Sequence, residues 1–189
     1  MKIFLICSKK FYDRVEEAKQ ELEKVGNEVF LPNCYDDPGT EARMKSLGEK
    51  EHREFKSKMY KQSEDIIKDC DAVVVLNFDT VKNGIERKNY IGGATFLEMY
   101  DAFKLEKEIY LYNDIPECDF TDEIKGMGPV IVNGHLEYIR ENFGCTYAEF
   151  IKKRKQPEPP TFVEYPEAYQ FMNKKDVQRL TLNKKEDTK

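Results

Sequence analysis

The amino-acid sequence predicts an α/β fold, a flavodoxin- or Rossmann-like three-layer arrangement around a parallel sheet of roughly five strands. Two observations predict it. Ala72–Leu76 is an unbroken Ala-Val-Val-Val-Leu run with no polar alternation, as expected of a strand buried on both faces between helices. Strand-like segments also alternate with helix-like ones from the start of the chain, the order that gives a parallel sheet.

Taken in order, Lys2–Cys7 is a short apolar run rich in Ile and Phe and reads as a buried strand. Phe11, Val15, Ala18, Leu22 and Val25 recur at helical spacing, and Gly26 stops that helix. Glu28–Leu31 reads as a second strand ended by Pro32, and Asn33–Thr40, with Pro, Gly and Asp, as a loop. Phe55, Met59, Ile66 and Ile67 mark one face of a long polar helix running to about Lys68. After Ala72–Leu76, Asn77–Ile91 reads as a polar loop containing Asn83-Gly84. Ala94–Leu105 reads as a helix, Glu108–Tyr112 as a fourth strand, Pro129–Val132 as a fifth, and His135–Phe143 as a last helix. The α/β domain thus spans residues 1–151. Residues 152–189 differ: Lys152–Lys155 is basic, Gln156–Pro160 carries three prolines, and Lys184–Lys189 is charged. This reads as an extended tail, either loose or docked through Phe162, Tyr165, Tyr169, Phe171 and Met172 on the domain or a second subunit.

Composition narrows the function. The 189 residues include 31 Lys+Arg against 36 Asp+Glu, a net charge of -5, which argues against a nucleic-acid polymer as partner. Mean hydropathy is -0.73, and no apolar run approaches the roughly 20 residues that span a bilayer. The apolar stretch at Met1–Ile6 is too short for a signal peptide, so a cytoplasmic protein without a membrane partner is expected. The five cysteines, Cys7, Cys34, Cys70, Cys118 and Cys145, are widely spaced, with only His52 and His135 beside them. They read as reduced thiols, and no metal site is expected.

In an open parallel sheet, ligands bind beyond the carboxyl ends of the strands. Cys7–Lys10, Asn77–Ile91 and the helix start at Gly92-Gly93 fall there. Two glycines let the backbone pass close to a ligand and turn sharply into a helix. Glu98 follows in the first or second turn, where the helix dipole favours a carboxylate. Such a group either complements the dipole or, facing a cleft, attacks a sugar carbon. Asn77 and Asp79 stand at the strand's carboxyl end and can bond ribose hydroxyls or simply form a turn. Tyr90 can stack on a base or close the loop on the core. Ser8, Lys9 and Lys10 follow the first strand and can bind an anion or remain a solvated helix start. Asp71 reads as a cap at the start of its strand.

Four segments carry a family resemblance: Lys2–Cys7; Cys70-Asp71-Ala72-Val73-Val74-Val75-Leu76-Asn77; Tyr90-Ile91-Gly92-Gly93-Ala94-Thr95-Phe96-Leu97-Glu98-Met99; and Lys107–Tyr112 followed by Ile115-Pro116. From Met1 to Phe143 the chain resembles the nucleoside 2-deoxyribosyltransferase-like proteins, a superfamily that includes nucleotide N-glycoside hydrolases. The resemblance implies a Glu98 nucleophile at the anomeric carbon of a (deoxy)ribose. It further implies a glycosyl-enzyme ester resolved by water or a second base, a nucleoside or nucleotide as small-molecule partner, no cofactor, and a homodimer or larger homo-oligomer. In the nucleotide-hydrolysing branch a Gly-Ser element after the first strand holds the 5′-phosphate; here Ser8 remains and the glycine does not. Substrate contacts are expected from Ser8, Asn77, Asp79, Tyr90, Gly92 and Gly93. The chain departs from the family pattern at Ser63 and Gly92, each of which stands where many members carry an Asp. Glu64 and Asp65 do not replace the first, because they lie about 100° and 200° round the helix from Ser63. The intact Glu98 favours an enzyme of N-glycosidic bonds; the absent carboxylates favour a nucleotide-binding sensor on the same fold.

Overall fold

A computed structural model describes residues 1–140. Strand β1 (Lys2–Cys7) leads through a 3₁₀ segment, Lys9–Arg14, into α1 (Val15–Lys24). Gly26, at φ +89°, turns the chain into β2 (Glu28–Phe30). Helices α2 (Thr40–Leu47) and α3 (Glu49–Asp69) follow, broken at Gly48, whose φ of +142° a helix cannot hold. Next come β3 (Ala72–Leu76), the short strands β4 (Thr80–Lys82) and β5 (Ile85–Arg87), and α4 (Gly93–Lys104). The described chain finishes with β6 (Glu108–Leu111), α5 (Thr121–Gly126), β7 (Val130–Ile131) and a 3₁₀ turn, Leu136–Tyr138.

Five strands form one all-parallel sheet in the order β2-β1-β3-β6-β7. This is the doubly wound order, in which the order of strand addition reverses between β1 and β3. Alternation along the strands sorts the core into two layers. Ile3, Leu5, Val74 and Leu76 pack with Val15, Ala18 and Leu22 of α1. Phe4, Ile6, Val73 and Val75 face the other way, onto Ile67 of α3 and Met99 and Ala102 of α4. Every residue of β3 is buried, as its unbroken apolar run predicts. Ile6 has no exposed surface, so Ile6→Val should cost about 0.5–1.5 kcal/mol for one lost methylene and its void, read from a urea midpoint at unchanged slope.

Three expectations change. The loop expected over Asn77–Ile91 holds an antiparallel hairpin, β4–β5, with Thr80 opposite Arg87. Its turn is Asn83-Gly84, both at positive φ (54° and 75°), the backbone a two-residue hairpin requires. The last helix, expected from His135, is only a 3₁₀ turn within the described residues, ending at Tyr138. An α5 helix appears between β6 and β7 where none was expected. The tail expected over residues 152–189 lies outside the described residues. Among the described residues no helix is long and apolar enough to cross a membrane, and Cys7, Cys34, Cys70 and Cys118 are free thiols.

Candidate active site

A cavity of about 300 Å³ opens at the carboxyl ends of β1 and β2, walled by α3 and the start of α4. Its volume is at the low end of small-molecule sites. Cys7 and Ser8 leave β1, Asn33 and Cys34 follow β2, Lys56 and Ser63 come from α3, and Gly92, Gly93 and Glu98 come from α4.

Glu98 is the central group. Gly92 caps α4 and Gly93 begins it, so Glu98 lies in the second turn. The Ser63 hydroxyl donates to Glu98 Oε1 at 2.7 Å. Burial pushes the carboxyl up to about 7. The Ser63 hydrogen bond and the Lys56 ammonium pull in the opposite direction, and Asp101 adds to the rise. Sequence position alone suggests that the helix dipole holds this carboxylate ionised. The structure reverses that balance, because the dipole acts within the first turn and desolvation acts wherever water is excluded. The neighbouring Cys7 thiol is pushed up to about 12, chiefly by burial and then by the charges of Glu98 and Asp13. It is a neutral thiol at physiological pH and does not compete as a nucleophile.

Ser63 is held in turn. Asn33 Nδ2 donates to Ser63 Oγ at 2.7 Å and to the Met59 carbonyl at 3.1 Å. The Tyr12 hydroxyl donates to the Asn33 carbonyl at 2.8 Å, fixing this backbone just before Cys34, which adopts φ +61°. Among the described residues Asn33 Oδ1 has no hydrogen-bond partner.

A charged group borders the same cavity. Glu41 of α2 accepts from Lys9 at 2.6 Å and Lys56 at 3.3 Å, with His52 Nε2 3.4 Å away. Lys9 first, then Lys56, hold the Glu41 carboxyl down at about 2. Among the described residues, no group of three His, Cys, Asp or Glu side chains converges to hold a metal.

The residues expected from sequence divide. Ser8, Gly92, Gly93 and Glu98 line the cavity together, as does Lys9. Tyr90 meets the site behind Gly92: a methyl group on Gly92 would stand 3.6 Å from the Tyr90 hydroxyl. Lys82 donates to that hydroxyl at 3.3 Å, so the hairpin is tied to the same ring. Asn77 is not part of the cavity. Fully buried, it donates to the Asn113 and Asp114 carbonyls and accepts from the Asn113 N–H, tying the end of β3 to the end of β6. Asp79 is exposed and accepts from the Asn89 N–H at 2.9 Å, closing the base of the hairpin. Lys10 donates to Thr80 and Val81, away from Glu98. Asp71 accepts from the Lys2 N–H at 2.7 Å, a cap between strand starts. Sequence reading passed over Tyr12, Asn33, Glu41 and Lys56. Asn33 lies in a Pro-Asn-Cys stretch that looks like any turn, and Lys56 lies on the polar side of a charged helix.

No protein-family model matches the sequence, and no curated protein does. Among solved structures, the chain is similar to a 2-deoxyribosyltransferase from the psychrotolerant bacterium Bacillus psychrosaccharolyticus, at 24% identity over 59% of this chain and 71% of that one, with a TM-score of 0.41. It is also similar to the CMP N-glycosidase BcmB of Clostridium botulinum, at 19% identity over 73% of this chain and 95% of that one, with a TM-score of 0.42.

Proposed function

We propose that this chain cleaves or transfers the N-glycosidic bond of a nucleoside or nucleotide, with Glu98 as the nucleophile. The observation that carries the reading is the Glu98 carboxyl in a cavity at the carboxyl end of the sheet, behind a Gly-Gly helix start, with the Ser63 hydroxyl donating to one of its oxygens. The likeness of Tyr90–Met99 to the nucleoside 2-deoxyribosyltransferase-like motif supports the same assignment.

In this mechanism an ionised Glu98 oxygen attacks the anomeric carbon as the bond to the base breaks. The base leaves with the bonding electrons and is protonated from solvent or the site. Positive charge gathers on the sugar in an oxocarbenium-like transition state, and the half-buried carboxylate opposes it at short range. The resulting glycosyl ester splits one difficult displacement into two easier ones. Water or a second base then attacks the anomeric carbon and frees Glu98. The site meets the requirement for a carboxylate that is poorly solvated yet still ionisable: a group at about 7 is largely charged in mildly alkaline solution.

The test is a panel of ribonucleosides, 2′-deoxynucleosides and their 5′-monophosphates, assayed by chromatography for free base with and without an acceptor base. Base release from one of these classes is expected; exchange of the base in the presence of an acceptor would mark a transferase. Saturable binding of a nucleotide without base release from any of them would make the chain a binding module and overturn the catalytic reading.

A further inference from the structure

We propose that Asn33 is a positioning residue for Glu98, acting through Ser63 by occupying the Met59 carbonyl and turning the serine hydroxyl onto the Glu98 carboxylate. The inference rests on the assignment of Glu98 as the reacting group and adds to it a device that orients and tunes that group.

A serine inside a helix ordinarily turns its hydroxyl back to the carbonyl one turn earlier. For Ser63 in α3 that carbonyl belongs to Met59. One lone pair of the Met59 oxygen serves the helix hydrogen bond. The other receives Asn33 Nδ2 at 3.1 Å. The same amide nitrogen spends its second hydrogen on Ser63 Oγ, at 2.7 Å. A hydroxyl has one hydrogen to give, and here it goes to Glu98 Oε1 at 2.7 Å. Ser63 is 3% exposed, in the wall of the cavity beside Glu98.

The amide cannot serve equally well turned over. Flipping it would set Asn33 Oδ1 against the Met59 carbonyl, acceptor to acceptor. The present orientation holds although it leaves Oδ1 without a partner among the described residues. Nor is the residue loose, since Tyr12 clamps its carbonyl from the 3₁₀ segment after β1. The chain Asn33–Ser63–Glu98 thus crosses from the end of β2 through α3 to α4, and it occupies the place where a carboxylate was expected beside the nucleophile.

Other groups also face Glu98. Lys56 of α3 favours its ionised form and Asp101 of α4 opposes it. Cys7 and Tyr12 stand beside it as neutral groups, their protons held by burial and by the Glu98 charge itself. Glu41 of α2 is already engaged with Lys9, Lys56 and His52. Loss of the relay should therefore move Glu98 without freeing it from the rest of this field.

The experiment is a carboxyl carbon-13 NMR titration of the substrate-free protein labelled at glutamate, with Glu98→Gln identifying the resonance. Asn33→Leu keeps the size of the residue and removes both donors. It should raise the Glu98 pKa by about one unit, a tenfold loss of ionised form below the midpoint. Ser63→Ala should do the same, and the double variant should move no further than either single one. The acidic limb of kcat/KM should shift by the same amount. Asn33→Asp covers the case in which the leucine variant does not fold: it accepts the serine hydrogen itself, adds a charge, and should push Glu98 higher still. An unmoved Glu98 titration in the folded Asn33 variant, or shifts that simply add in the double variant, would overturn the proposal. Because the titration uses no substrate, that failure leaves Glu98 free to be the nucleophile. Conversely, a relay that shifts the titration in a protein without base release would remove the catalytic reading alone.

Discussion

Glu98→Gln should lower base release on the order of 10⁶-fold, as removal of a covalent nucleophile does elsewhere. The substitution keeps the size of the side chain and an oxygen for the Ser63 hydrogen bond, and it deletes the charge proposed to attack the sugar. Glu98→Ala should be as inactive and should also lose the Ser63 contact. In the wild-type protein kcat/KM should rise with pH and level off above about 7, where burial has placed the Glu98 carboxyl. The free-enzyme profile reports that group directly. A variant with near-wild-type turnover would reduce Glu98 to a half-buried helical acid.

The second large effect concerns stability, and its sign is opposite. Glu98 holds its proton more tightly folded, at about 7, than its ordinary value of 4.5. The folded state therefore binds more protons than the unfolded state between these limits, so stability falls as pH rises through them. Above about pH 7 the whole cost is present, about 3 kcal/mol for a shift of this size. Glu98→Gln removes the group that titrates. It should match the wild type at pH 4 and exceed it by an amount of this order at pH 8, read as a higher thermal or urea midpoint. Equal midpoints at both pH values would mean that the carboxyl is not desolvated. Together, the two results describe a site that spends stability on function, as buried reacting groups commonly do.

The strands and the acid were legible in the sequence for different reasons. β3 announced itself because a strand buried on both faces must be apolar throughout, and Ala72–Leu76 leaves no other reading. Glu98 was singled out through the likeness of Tyr90–Met99 to a known motif; its place near the start of α4 alone would equally suit an acid that merely complements the helix dipole. The hairpin β4–β5 was missed although Asn83-Gly84 is a strong turn signal. Its flanks are too exposed to show an apolar alternation: all of Ile85–Arg87 faces solvent. Asn77 looked like a ligand residue because it ends a central strand, but a buried backbone junction between β3 and β6 consumes its hydrogen-bonding groups.

Ser63 shows where one-dimensional reading stops. As a residue it marks only the absence of an expected carboxylate. In the fold it donates directly to Glu98 from 35 positions away in the chain. Asn33 bonds to it across another 30. No local spacing encodes such contacts, because the parallel sheet sets them by bringing the ends of β1 and β2 to one side of α3 and α4. The raised proton affinity of Glu98 has the same origin: helix position predicts the dipole, and only packing reveals the loss of solvent.

The most direct test of the account is the mass of the protein after incubation with a 2-fluoro-2-deoxynucleoside, whose fluorine slows breakdown of a glycosyl ester. One added fluorosugar is expected, mapped by peptide sequencing to Glu98 and absent from Glu98→Gln. Turnover of a natural substrate with a fluorosugar attached to any other residue, or a labelled Glu98→Gln protein, would contradict it.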